Sequence, residues 1–465
     1  MLSLTLLALA AQCAAATSAA SSNYTVAAGW YASWHVTDVP LSSVLWSKYT
    51  HMTYAFAIPT ADPSAISLAE SDEELLPQFV AAAHKNGVKA GLSIGGWTGS
   101  QYYSSNVASA SNRTAFVKSV TNLIQKYHLD LVDFDWEYPG VQGIGCNIVS
   151  SSDTDNFLAM LQELRASPIA GNVTLTAATA VVPFPTTNTS TIAEFATVLN
   201  WIVPMVYDLS WNWTAGSPRI QRALPSAPLD DSCFESTPGV TGTGLTGRGS
   251  ARSAVESWSS AGMPASQIVL GVPAYGHSFN VNASEAFLPS SSSTPQLLTP
   301  YPPYDTLNHT VGDNWDGTGG TDQCGVFVGP GGVWDFFALV AAGYLLANGS
   351  AAAGVPYQWD TCSSTPYLYA ADRGVLVSYD DPRSFAAKGA FVRANGLGGF
   401  AMWEVGGDPK GVLLDAICVC PLNLWLCVLM RLPCSVGADQ RQPHRHALAG
   451  GWDPFPLRLG AVKNG

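Results

Sequence analysis

Short apolar runs alternate along this chain with longer segments of helical period. The runs at 26–34, 51–57, 88–94, 173–180, 201–207, 268–274 and 398–403 read as strands. The segments 73–85, 112–127 and 154–165 carry apolar residues at helical spacing and read as helices. Between 112–127 and 154–165 lies one more strand-like run, 129–140, with Val132, Phe134 and Trp136 on one parity and Asp133, Asp135 and Glu137 on the other. Strands that alternate with helices favour a parallel sheet built from βα units. Eight such units predict a (β/α)8 barrel, an α/β fold. A doubly wound open sheet satisfies the same pattern, although no Gly-rich phosphate loop accompanies it.

Two regions break the rhythm. The span 277–378 is too long for a βα loop and holds a Pro- and Ser-rich stretch at 289–293, so it reads as an inserted α+β subdomain between strands seven and eight. The segment 418–465 fits neither the barrel nor a recognisable binding module; a misread gene end or a disordered tail accounts for it.

Composition narrows the partners. The chain has 465 residues, 12% of them charged, and a formal net charge of −13, which argues against nucleic acid and leaves a neutral polymer open. Residues 1–20 read as a secretory signal peptide, with a buried N-terminal helix as the alternative. Eight Asn-x-Ser/Thr sequons, at Asn23, Asn112, Asn172, Asn188, Asn212, Asn282, Asn308 and Asn348, accord with export and glycosylation. The apolar part of 418–434 is interrupted by Pro421, Arg431 and Pro433 and is too short to span a membrane. A secreted or cell-wall monomer is expected.

Of nine cysteines, Cys13 falls in the leader. Cys146, Cys233, Cys324 and Cys362 allow three disulfide pairings in an oxidising compartment. The expectation is Cys324 with Cys362 inside the insertion and Cys146 with Cys233 between the loops after strands four and six. Neither the cysteines nor the eight scattered histidines show metal-ligand spacing, and no metal or cofactor is expected.

The carboxylate strand carries the chemistry. Three acids on one face of an otherwise apolar strand repel one another, and burial worsens the repulsion, so at least one is held protonated near neutral pH. Glu137 ends the row, beside Tyr138-Pro139-Gly140, where the strand must stop. A protonated carboxyl at a strand end is suited to general acid catalysis.

The spacing of Asp130, Asp133, Asp135 and Glu137, Asp-x-x-Asp-x-Asp-x-Glu, resembles the signature of glycoside hydrolase family 18, the chitinases. The resemblance implies that Glu137 is the acid and that the substrate's own N-acetyl oxygen is the nucleophile, an exception to the two-carboxylate scheme. It implies that Asp135 orients the acetamido N–H, that Asp133 shares a proton with Asp135, and that Asp130, of opposite parity, ties down the strand start. Ser93-Ile94-Gly95-Gly96-Trp97 matches the end of strand three, where Gly95 and Gly96 admit close backbone approach. Met205-Val206-Tyr207-Asp208 resembles the end of strand six, whose Tyr grips the N-acetyl oxygen. Tyr31, Phe56 and Trp403 would floor the pocket with aromatic faces. Tyr138, Trp97, Met205, Asp208 and Tyr275 complete the expected substrate contacts. His277 stands where relatives often have Arg. Trp211, Trp213, Trp315, Trp334 and Trp359 are further candidates for lining a long cleft.

The resemblance covers about 26–417. It implies a secreted chitinase acting on chitin or chitooligosaccharides by a substrate-assisted, retaining route. An endo-β-N-acetylglucosaminidase on glycoprotein glycans is the rival within catalysis, and a chitin-binding lectin the rival outside it.

Overall fold

The computed structural model describes residues 25–188, 190–210, 222–233, 249–289, 297–305 and 308–418. The leader 1–20 with Cys13, the tail from 419, Trp211, Trp213, Asn23, Asn212 and the serines 290–293 lie outside the described residues.

Eight parallel strands form the core: β1 (Val26–Ala32), β2 (His51–Pro59), β3 (Lys89–Gly95), β4 (Leu131–Asp135), β5 (Thr174–Thr179), β6 (Trp201–Pro204), β7 (Val269–Pro273) and, after the insertion, β13 (Gly399–Trp403). They follow one another in chain order, β6 to β1, and β1 then pairs with β13 and β13 with β7. A parallel bridge between Ile202 and Ile268 joins the last gap. The open-sheet alternative is thereby excluded: the sheet returns on itself as a (β/α)8 barrel. Every residue of β1, β4, β6 and β7 is buried, as expected where helices cover the outside and side chains fill the inside.

Parity sorts the strands into two layers. Val26, Ala28, Trp30, Leu131, Ala178, Trp201, Val203, Val269 and Ala401 fill the barrel interior. Val132, Phe134 and Trp136 instead join the outer layer between strands and helices, with Phe79, Phe116 and Phe157 from α1 (Leu75–Lys85), α2 (Ala110–Tyr127) and α3 (Asp153–Ala166). The caps are local. The Ser109 side chain accepts from Asn112 N at the start of α2, and His128 ends that helix in the left-handed region at φ 55°, turning the chain into β4. Asp130 pins the strand start from outside the barrel: it accepts from His84 Nε2 at 2.7 Å, Ala90 N at 3.0 Å and Lys89 Nζ at 3.2 Å.

A second sheet is inserted between β7 and β13. It comprises β8 (Tyr275–Asn280), β9 (Val333–Asp335), β10 (Tyr357–Asp360), β11 (Thr365–Ala370) and β12 (Val375–Ser378), antiparallel in the order β9-β8-β12-β11-β10. It starts one residue after the barrel strand, at Tyr275, so Ala274 alone separates the two sheets. The chain then re-enters the barrel through a helix at Pro382–Ala394, capped by Asp381 accepting from Ser384 N at 2.9 Å.

The disulfides correct the expected pairing. Cys146 bonds Cys324, with Cα atoms 5.5 Å apart, and Cys233 bonds Cys362, at 6.3 Å. The turn carrying Cys362 packs against the segment leading to Cys233, where Leu229 N donates to Ser363 O at 2.7 Å. Spacing along the chain carries no trace of that contact.

Candidate active site

Strand register builds the first part of the site. It sets Ser93 of β3 and Thr176 of β5 directly beside Asp133 of β4. Their hydroxyls donate to its carboxylate at 2.8 and 2.6 Å, and the Trp30 indole donates from β1 at 3.1 Å. Burial raises the Asp133 pKa, and these three donors oppose the rise.

Asp135 lies two residues further on, also buried, and its Oδ1 has no hydrogen-bond partner among the described residues. Burial first, then the charges of Glu137 and Asp133, hold its carboxyl well above the usual carboxylate range. β4 stops at Asp135, short of the expected length, yet Glu137 stays buried. Its backbone is clamped: the N–H donates to Ser100 Oγ at 2.8 Å and the carbonyl accepts from Asn147 Nδ2 at 2.8 Å. Burial pushes the Glu137 carboxyl up to about 7; a hydrogen bond with Tyr138 opposes the rise and the Asp208 charge adds to it. The Glu137–Tyr138 peptide is cis.

Gly95 and Gly96 have φ of 110° and 81°. A side chain at Gly95 would strike the Asp135 carbonyl, and one at Gly96 would meet the Phe56 ring at 3.1 Å. Gly96 N donates to that Asp135 carbonyl at 2.8 Å, so the glycine pair lets the end of β3 tuck against β4. Trp97 follows, half-buried.

The opposite wall follows β6. Pro204 has no N–H for the ladder, and the chain leaves the strand there. Met205 is half-buried against Trp403, and Tyr207 is buried with Tyr275 and Ala227. Burial and then the Asp135 charge raise the Tyr207 hydroxyl well above its ordinary value. Asp208 takes two donors on one oxygen, the Tyr275 hydroxyl at 2.8 Å and His277 Nε2 at 2.7 Å. The departure at His277 is therefore a positioning contact to Asp208.

Trp403 forms the floor. Phe56 stacks on it at 5.5 Å and Trp34 packs at 6.2 Å, with Trp30 edge-on at 6.1 Å. Tyr31 is not part of this floor. It points into the outer layer against Tyr54 and Phe79, and its hydroxyl donates to Val39 O at 2.7 Å. Successive residues of a strand face opposite sides, and Trp30 takes the inward place. Among the remaining tryptophans, Trp334 packs on Tyr344 inside the insertion and Trp359 lies 3.8 Å under the Arg383 guanidinium. Trp315 stacks on His35 at 3.7 Å, beside the loop after β1.

A buried row of acids and an aromatic floor at the strand ends are thus in place. Residues 26–408 match the family model described as Glycosyl hydrolases family 18. The chain belongs to that family. A chitinase-like effector of Moniliophthora roreri is 44% identical over 86% of this chain and 93% of its own. Chitinase A1 of Niallia circulans is 30% identical over 71% of this chain and 42% of its own length. Among solved structures, a chitinase from Rhizomucor miehei superposes with a TM-score of 0.70 at 30% identity, covering 84% of this chain and 98% of that one.

Within this family-18 barrel, sequence reasoning passed over Trp30, Trp34, Ser100, Asn147 and Thr176, and quoted Ser93 in the strand-three motif without its contact to Asp133. Ser93 and Thr176 share the inward parity of Asp133 in neighbouring strands, so a register argument could have found them. Ser100 and Asn147 lie in loops, where no periodicity points to them.

Proposed function

We propose that this protein is a secreted chitinase that hydrolyses β-1,4 bonds between N-acetylglucosamine units. The observation that carries the reading is the buried, unpartnered Asp135 Oδ1 between a hydrogen-bonded Asp133 and a Glu137 whose carboxyl is pushed up to about 7. A buried acceptor without a partner costs roughly 1–3 kcal/mol, and an acetamido N–H supplies the missing donor. Glu137 protonates the leaving oxygen. The N-acetyl oxygen, polarised by the Tyr207 hydroxyl, attacks the anomeric carbon from the other face, and Asp135 stabilises the positive charge that develops on the acetamido nitrogen. Water, deprotonated by Glu137, then opens the ring intermediate. Two inversions give net retention. Trp403, flanked by Phe56 and Trp34, supports the apolar faces of the sugars. Tyr138, Met205, Asp208, Trp97 and Tyr275 line or position the pocket. The Cys146–Cys324 and Cys233–Cys362 disulfides suit an oxidising, extracellular setting, and among the described residues no helix is long and apolar enough to cross a membrane.

Chitin binding without hydrolysis is the second reading, prompted by relatives named chitinase-like effector at 44% and 41% identity. The intact Glu137, Asp135 and Tyr207 favour hydrolysis. Early-time NMR of the products from chitooligosaccharides tests the choice: the β-anomer should form first, and fully deacetylated oligosaccharides should remain whole. An α-anomer as first product, or cleaved chitosan, overturns the mechanism. Binding with no product supports the second reading, and cleavage confined to a high-mannose glycopeptide points to the glycoprotein rival.

A further inference from the structure

A long excursion of the insertion runs back over the barrel. Asp316 Oδ2 accepts from Gly312 N at 2.8 Å and Gly332 N at 2.9 Å, closing the neck of a loop at 312–332. The neck is fixed to β8, where Ser278 N donates to Gly332 O and Val333 pairs with His277. It therefore stands at the end of β7, beside the residues that hold Asp208. On the outward leg Trp315 stacks on His35 and donates to Asp38 Oδ2 at 3.0 Å, both in the loop after β1. Gly320–Thr321 then pairs with Phe327–Val328 as a hairpin, and Asp322 Oδ1 shapes its turn by accepting from Cys324 N and Val326 N, each at 2.9 Å.

The turn is pinned far from the neck. Gln323 Nε2 donates to Thr98 O at 2.8 Å, just after β3, and Cys324 is disulfide-bonded to Cys146, in the loop after β4. In the ring of eight strands, β3 and β4 stand opposite β7 and β13. A ring of eight tilted strands is about 15 Å across, and the extended chain from Asp316 to Cys324 reaches about 26 Å. The hairpin thus spans the mouth of the barrel on the β1–β2 side. The ends of β1, β2 and β13, with Trp34, Phe56 and Trp403, lie on that side. Trp34 keeps 50% of its surface exposed, so open space remains above the floor.

We propose that residues 312–332 form a fixed roof over one arm of the cleft, locked by Cys146–Cys324, so that a polysaccharide enters by threading a chain end. This rests on the chitooligosaccharide reading above. A roofed arm favours chain ends over internal bonds and slows release of a long bound chain. A short oligosaccharide enters from its end in either case.

The test opens the roof. In Cys146→Ser/Cys324→Ser, the ratio of viscosity loss on soluble glycol chitin to reducing ends released should rise at least about threefold, with chitotriose turnover unchanged; in an added Glu137→Gln background, chitohexaose should dissociate at least about threefold faster. Mild reduction of the native enzyme should reproduce both effects, with Cys233→Ser/Cys362→Ser as the control for the Cys233–Cys362 bridge, and it serves if the cysteine variant fails to fold. An unchanged ratio together with an unchanged dissociation rate, with the bridge shown absent by mass, overturns the roof. If the wild-type chain cleaves none of these substrates, the chitinase reading fails and the dissociation rate alone decides the roof.

Discussion

The Trp30 indole donates to the Asp133 carboxylate at 3.1 Å inside the barrel, joining the first strand to the fourth. With Ser93 and Thr176 it opposes the rise in the Asp133 pKa that burial causes. Hydrogen bonds to charged groups contribute about 1.5–3 kcal/mol, so Trp30→Phe should lower stability by roughly that amount in denaturant unfolding. It should also raise the Asp133 pKa and shift the acid limb of the rate profile toward higher pH. A limb that stays in place would separate Asp133 from the catalytic titration.

Glu137→Gln should lower kcat by roughly 10²–10⁴-fold, the usual range for general acid catalysis. The amide keeps the shape of the side chain, so calorimetric binding of chitooligosaccharides should persist. Activity within twofold of wild type, which is about 0.4 kcal/mol of activation barrier, removes Glu137 from the reaction.

On the proposed mechanism Asp135→Asn should lower kcat and leave KM nearly unchanged, because the amide cannot become the anion that faces the cation formed when the acetamido group attacks. A raised KM with kcat unchanged would assign Asp135 to ground-state binding instead.

The pH dependence has one sign for rate and stability. In the proposed mechanism Glu137 acts in its protonated form, and its carboxyl is pushed up to about 7, so the rate should fall as pH rises through that value. Burial also raises Glu404 from 4.5 to about 7 and Asp408 from 3.8 to about 6. A carboxyl whose folded pKa is raised favours folding below its unfolded pKa, and that contribution is lost as pH climbs to the folded value. Thermal unfolding should therefore show a lower Tm at pH 8 than at pH 5. Glu404→Gln, neutral throughout, should flatten the slope without abolishing it; an unchanged slope would show that Glu404 stays ionised in the fold.

Removing the Cys233–Cys362 bridge by a double Ser substitution should cost roughly 2–5 kcal/mol, since the bridge closes a long loop in the unfolded chain. Its sequence separation is 129 residues. Chitooligosaccharide turnover below the melting transition should be unchanged, because neither cysteine reaches the acid row.

The amino-acid order by itself determined the parity of β4. Asp133 and Asp135 face one way and Val132 and Phe134 the other, because side chains of a strand alternate whatever surrounds them. The strand–helix rhythm likewise specified eight parallel units, since each apolar run needs a helix to return the chain. Choices between adjacent residues or distant loops were decided only in three dimensions. Trp30, not Tyr31, faces the acids, because the start of β1 and its register with β13 and β2 set which parity points inward. His277 meets Asp208 because β8 leaves the barrel one residue after β7 ends. Cys146 meets Cys324 because a hairpin of the insertion lies across the mouth of the barrel. Each of these contacts depends on where separate segments come to rest, and local sequence periodicity holds no record of that.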